Sequence, residues 1–207
     1  AYCEALTPGL KETYGPYQRF KPIEGDYQQL NDAILQIENE FYSNIRPKRT
    51  SSSNRRPIRA LRENGIEYLE VRCIDLDPFE AGGISAEACY FIDTFLLACA
   101  ISKSPLDSPK ERSSIDKNQK LVAKTGRDEQ LRLSKDGRPS LLQEYAKDVL
   151  DACLAAAEIL DSANKTRAYS HSFQNRFAQT REPETTLSSQ LLDSVRKNGS
   201  FIDFSLD

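Results

Sequence analysis

The run EYLEVR (Glu67–Arg72) places an acid and an arginine two residues apart among residues that favour a strand. In an extended chain Tyr68, Glu70 and Arg72 point to one face, and Glu67, Leu69, Val71 and Cys73 to the other. The acid and the guanidinium then stand roughly 6.5–7 Å apart along the strand. A carboxylate is a hard oxygen ligand that suits Mg²⁺, an ion usually held by one or two carboxylates together with substrate phosphates. Arginine brings a planar fork for phosphate oxygens and keeps its charge. The pair therefore suits a magnesium–nucleotide site. It also suits a structural ion pair on a solvated sheet face, since charged pairs on sheets are common, and the two residues alone leave both readings open.

A second run, QIENEFYSNIRPKR (Gln36–Arg49), repeats the pattern. Alternation over residues 33–42 predicts a strand with Glu38, Glu40 and Tyr42 on one face and Ile37, Asn39 and Phe41 on the other. Tyr42 could offer its hydroxyl to a substrate carboxylate, or simply cover the sheet edge. Arg46, Lys48 and Arg49 open a basic loop over 46–57. As a nucleic-acid patch this loop is disfavoured, because the surrounding chain is acidic and no stacking aromatics are interleaved.

The whole chain argues the same way. Its 207 residues carry a net charge of −3, so no global basic field points to nucleic acid or an anionic membrane. No apolar run approaches the ~18–20 residues of a membrane span, and no signal peptide is expected. Five cysteines, Cys3, Cys73, Cys89, Cys99 and Cys153, are widely spaced. The last four sit in apolar runs and read as reduced, buried thiols of a cytoplasmic protein. No CxxC or Cys/His spacing suggests zinc. The single His171 reads as a surface histidine.

These residues need elements to position them. A short helix is expected near Pro8–Tyr14, followed by turns. Helical turns over 57–64 should end at Gly65, and residues 66–74 form the second strand. Ser85 caps a helix over 86–102 that is apolar on most faces and so largely buried. A polar helix runs over 110–124, then a loop in which Pro139 starts the next helix. That helix, over 140–164, should bury Leu142, Tyr145, Val149, Cys153, Ala156 and Leu160. A last helix spans 184–197. Two strands cannot make an independent sheet, so their partners come from another chain or lie outside this one.

LQIENEFYSNIRPKR together with RALRENGIEYLEVRCIDLDPFEAGGI resembles the central-to-late portion of bacterial glutamate–cysteine ligases. The resemblance is tightest over 35–84 and traceable through EILDSAN and SQLLDSV. It implies an α+β fold: part of a glutamine-synthetase-like antiparallel sheet, two strands of it here, followed by a mostly helical portion. Residues 1–84 would be the strand-containing catalytic-sheet segment and 85–207 the helical segment of the same domain. The implied reaction is ATP- and Mg²⁺-dependent ligation of the glutamate γ-carboxylate to cysteine. The partners are then the small molecules glutamate, cysteine and ATP, with no nucleic acid and no membrane. The matching positions make Glu70 a metal ligand, Arg72 the catalytic arginine at the transferring phosphate and Tyr42 part of the cysteine pocket. Most of the family's metal carboxylates have no counterpart here, so this piece alone is expected to be inactive. Another glutamate carboxylate–amine ligase, or a non-catalytic helical interaction module, stands as the alternative.

Overall fold

The computed structural model describes residues 2–50 and 55–206. Contacts divide the chain into two compact units, one up to Asp75 and one from Leu76 onward. The fold is α+β, with two small antiparallel hairpins among helices.

In the first unit, α1 (Tyr2–Gly9) is followed by irregular chain up to β1 (Ile45–Lys48). Helix α1 therefore precedes the Pro8–Tyr14 position expected for it, and Pro8 lies in its last turn. Strand β1 pairs antiparallel with β2 (Tyr68–Val71), and α2 (Pro57–Asn64) lies in the connection between them. Leu6 of α1 and Ile58 and Ala60 of α2 are the buried apolar anchors of these two helices. Arg62 Nη2 ties them by donating to Thr7 Oγ1 at 2.9 Å. Gly65 closes α2 as expected, at φ 73°, where its lack of Cβ matters, with its N–H bonded to Leu61 O at 2.9 Å.

The strand expected over 33–42 is not formed. Glu38–Glu40 is instead a 3-10 turn. Glu40 Oε2 accepts from Gln36 N at 2.6 Å, and Glu38 Oε2 accepts from Ile58 N at 2.7 Å. The second bond satisfies an N–H in the first turn of α2, which has no intrahelical acceptor. Carboxylates that cap backbone groups can mimic strand alternation, and here the capping bonds took the segment. The strand lies further on, inside the expected basic loop. Among the described residues β1 pairs only with β2, which leaves one side of the strand open where Pro47 is tolerated. The part of that loop at 51–54 falls outside the described residues.

The second unit begins its regular structure at α3 (Ala86–Ile101), capped as expected by Ser85 Oγ, which accepts from Ala88 N at 3.1 Å. Helix α4 (Pro109–Thr125) starts with a reciprocal Ser108–Glu111 capping box. A hairpin, β3 (Arg132–Lys135) and β4 (Arg138–Leu141), follows where a loop was expected. Its two-residue turn, Asp136-Gly137, has φ of 51° and 77°, the positive pair of a type I′ turn. Pro139 thus lies in β4 and not in a helix. Asn118 of α4 clasps the hairpin through Ser134, with bonds of 2.8 and 2.9 Å.

Helices α5 (Leu142–Asn164) and α6 (Ala168–Gln179) build the core with α3. The α6 helix, polar in sequence, was not expected. Ala98, Leu150, Cys153, Ala156, Ala157, Tyr169 and Phe173 form the buried cluster. The buried stripe of α5 is turned slightly from the expected one. Leu150 and Ala157 join Cys153 and Ala156 inside, while Val149 is exposed. The small residues Ala156 and Ala157 are fully buried, which lets neighbouring backbones approach closely. Ser172, also fully buried, donates to Glu87 O at 2.7 Å and fastens α6 to the start of α3.

Helix α3 is less buried than its composition suggests. Only Thr94 and Ala98 are buried in it. Cys89 and Cys99 are exposed, as is Cys73, and only Cys153 is a buried thiol. All five cysteines are free, and His171 is at the surface. The chain ends in α7 (Leu187–Asn198), stopped by Gly199, and α8 (Phe201–Leu206). No helix among the described residues is long and apolar enough to cross a membrane.

The α5–α6 junction supports a stability prediction. Arg167, at the cap position of α6, makes no side-chain cap bond. Asp161 does the capping from α5, accepting from Tyr169 N and Ser170 N at 3.0 Å each. Burial pushes its carboxyl up, but these bonds outweigh it and hold the group below the ordinary aspartate value. Asp161→Ala should cost about 1 kcal/mol, as for a lost helix cap. Because the folded value is lowered, the contribution is present above the unfolded value of ~3.9 and is lost as pH falls through the folded one. Thermal melts of the full-length protein should show a lower Tm for Asp161→Ala at pH 7, with the difference shrinking below pH 4. An equal Tm at pH 7 would remove the capping role.

Candidate functional site

The β1–β2 register sets Arg46 opposite Glu70 and Lys48 opposite Tyr68. Arg72 follows β2, its N–H bonded to Asn44 O at 2.7 Å. Cross-strand partners share a face. One face of the hairpin therefore carries Arg46, Lys48, Tyr68, Glu70 and Arg72, and the other Ile45, Pro47, Leu69 and Val71. The second face is not packed away within the described residues, since Leu69 is 43% exposed.

On the charged face Arg72 Nη2 donates to Glu70 Oε1 at 2.6 Å. Lys48 Nζ stands 3.3 Å from Glu70 Oε2. Oε2 is withdrawn from solvent and, among the described residues, accepts no hydrogen bond of normal geometry, the Lys48 contact being an ion pair. The hydrogen bond from Arg72, together with the nearby Lys48, holds the Glu70 carboxyl below the ordinary glutamate value, against burial acting the other way. Arg46 Nε is also buried, without a hydrogen-bond partner among the described residues.

Tyr42 lies three residues before β1, not in a strand with Glu38 and Glu40. Its ring nonetheless reaches the same face: the Arg72 and Arg46 guanidinium carbons lie 5.4 and 5.6 Å from its centroid. The ring is 71% exposed. The structure thus gathers Tyr42, Glu70 and Arg72 and separates Glu38 and Glu40, which cap backbone groups. Arg46 and Lys48 join the cluster without having been assigned a role in it. Their alternation about Pro47 was the signal, in a run read as a polar, basic loop.

Three cations and one carboxylate leave the face with an excess of positive charge. That balance suits phosphate oxygens. Among the described residues no three His, Cys, Asp or Glu side chains converge as a metal centre. Glu70 Oε2, buried and without a hydrogen bond among the described residues, fits a divalent cation that takes its remaining ligands from substrate oxygens or from elsewhere in the protein.

Known proteins share this arrangement of chain. Residues 1–122 match the family described as glutamate-cysteine ligase. The chain is 38% identical over 208 aligned residues to a glutamate–cysteine ligase of Pseudomonas fluorescens Pf0-1, covering all of this chain and 39% of that protein. A glutamate–cysteine ligase of Pseudomonas aeruginosa LESB58 is 39% identical over the same length, again with 39% of it covered. The crystal structure of a Francisella tularensis glutamate–cysteine ligase in complex with AMP superposes with a TM-score of 0.88 at 33% identity. That match covers 100% of this chain and 41% of the other. The chain thus spans about two fifths of the length of these relatives. Over the stretch that carries the hairpin and its charged face, and across more than half of its length, the chain belongs to the glutamate–cysteine ligase family.

Proposed function

We propose that this chain is part of an enzyme that joins the γ-carboxylate of glutamate to the amine of cysteine, with ATP, in the first step of glutathione synthesis. The observation that carries the reading is the Glu70–Arg72 pair on one hairpin face, with Glu70 Oε2 free of hydrogen bonds among the described residues, in a chain of this family. The AMP bound by the Francisella relative supports an adenine nucleotide as the phosphoryl donor. The glutamate γ-carboxylate attacks the γ-phosphorus of ATP, ADP leaves, and the cysteine amine then displaces phosphate from the acyl phosphate.

Arg72 is the catalytic residue of this reading. Only its Nη2 is committed to Glu70, and the rest of the fork can meet oxygens of the phosphoryl group in transfer. Glu70 Oε2 would hold Mg²⁺ jointly with nucleotide oxygens, and the bound ion would neutralise phosphate charge. A nucleotide-dependent reaction on a free thiol substrate, in a protein with five free cysteines, fits the cytoplasm.

The test is phosphate release by the full-length protein with glutamate, ATP and Mg²⁺, with and without cysteine. Release that requires glutamate and rises with cysteine is expected. Release that responds to another amine and not to cysteine would replace the acceptor in this reading.

Tyr42 is the cysteine-side residue. Its hydroxyl makes no hydrogen bond among the described residues and its ring is held against Arg46 and Arg72. Tyr42→Phe removes a bond to a charged group of the substrate, about 1.5–3 kcal/mol. The KM for cysteine should rise by tenfold or more while that for ATP stays within a few-fold. A raised KM for ATP with an unchanged one for cysteine would move Tyr42 to the nucleotide.

A further inference from the structure

Two buried side-chain atoms lack a hydrogen-bond partner among the described residues, Arg46 Nε and Glu70 Oε2. They belong to residues directly opposite each other in the β1–β2 register. One is a donor on a cation and the other an acceptor on an anion, and neither serves the other. A buried polar atom left unpaired is costly, and native proteins rarely keep one without a reason. A donor without a hydrogen bond, beside an acceptor met by the Lys48 ammonium at 3.3 Å, suits a ligand with both kinds of partner, an oxyanion with a bound divalent cation.

The neighbouring charges point to the same class of ligand. Arg46, Lys48 and Arg72 face a single carboxylate. The Arg46 and Arg72 guanidinium carbons both lie within 6 Å of the Tyr42 ring centroid, at 5.6 and 5.4 Å. Cation–π attraction to the Tyr42 ring holds both guanidinium groups near it. Arg72 is engaged by Glu70, Lys48 also pairs with Glu70, and Arg46 makes no ion pair or hydrogen bond among the described residues. Arg46 is thus the uncommitted cation of the face.

We propose that Arg46 is a second arginine for the transferring phosphate, its Nε donating to a phosphoryl oxygen beside the one that Arg72 meets. The proposal rests on the phosphate-transfer reading of this face. The same fork could meet an amino-acid carboxylate, and the experiment separates the two sources.

The full-length enzyme, wild type and Arg46→Met, is titrated calorimetrically with a non-hydrolysable ATP analogue in the presence of Mg²⁺. Thermal melts and the KM for cysteine are measured alongside. Met keeps an apolar stem and a sulfur against the Tyr42 ring, so the local packing survives. The Kd for the analogue should rise about ten- to hundredfold, the loss of a hydrogen bond to a charged group. The Tm should be unchanged or higher, since the variant removes an unpaired buried donor. Arg46→Lys, which keeps the charge without the fork, should recover part of the affinity.

A wild-type Kd in Arg46→Met would overturn the proposal. So would a raised KM for cysteine with unchanged analogue binding, which assigns the fork to a carboxylate. A Tm lowered by several degrees would make Arg46 a structural residue and also overturn it. Wild-type enzyme that binds no analogue would overturn the phosphate-transfer reading itself, and this proposal with it.

Discussion

Arg72→Lys in a full-length enzyme is expected to lower kcat by roughly a hundredfold, the scale of losing one positioned donor to a transition-state oxyanion. The KM for glutamate should stay within a few-fold. Arg72 follows the last residue of β2 and shares a face with Glu70, bonded to it at 2.6 Å. That bond sets the plane of the guanidinium before any substrate arrives. A phosphoryl group in transfer spreads charge over several oxygens, and a planar fork can meet more than one of them. Lysine keeps the charge and loses the geometry. An interaction made mainly in the transition state is seen in kcat and not in ground-state binding. If the pair is only structural, Arg72→Lys leaves turnover per folded molecule unchanged and lowers Tm slightly. Measuring kcat and Tm on the same preparation separates the two, and an unchanged kcat removes Arg72 from the chemistry.

Glu70→Gln should raise the Mg²⁺ concentration needed for half-maximal activity by about tenfold or more. An amide is a neutral and poorer ligand for a hard cation. The same substitution releases Lys48 and loosens Arg72, so kcat should fall as well. Glu70 is held below the ordinary glutamate value, first by the hydrogen bond from Arg72. Its carboxylate is therefore fully charged above the unfolded value of ~4.3, and the stabilisation it brings is lost only as pH falls through the lower, folded value. Activity between pH 6 and 8 should show no titration belonging to Glu70. The ion pairs are partly solvent-exposed, 31% for Glu70 and 39% for Arg72, so their loss should move Tm little. An unchanged Mg²⁺ requirement in Glu70→Gln would place the metal on other residues.

The sequence by itself determined the local signals that need no distant partner. Ser85 starts its helix, Gly65 and Gly199 end theirs, and the alternation in EYLEVR puts Glu70 and Arg72 on one face. Caps and pleat alternation are governed by a few neighbouring residues, so composition and spacing suffice. The family was legible in the same way, because its two runs are contiguous in the chain. Tertiary structure decided the rest. Glu38 and Glu40 alternate with apolar residues as a strand would, but Glu38 caps a helix that starts nineteen residues later, at Pro57. Arg46 and Lys48 look like loop cations until pairing with β2 fixes their face. Tyr42 reaches the site through its ring and not through strand alternation. The α6 helix, polar in sequence, forms because Asp161 caps it and Ser172 and Phe173 bury against neighbouring helices. Each of these outcomes depends on a hydrogen bond or charge supplied from elsewhere in the chain, and local periodicity carries no record of such a partner.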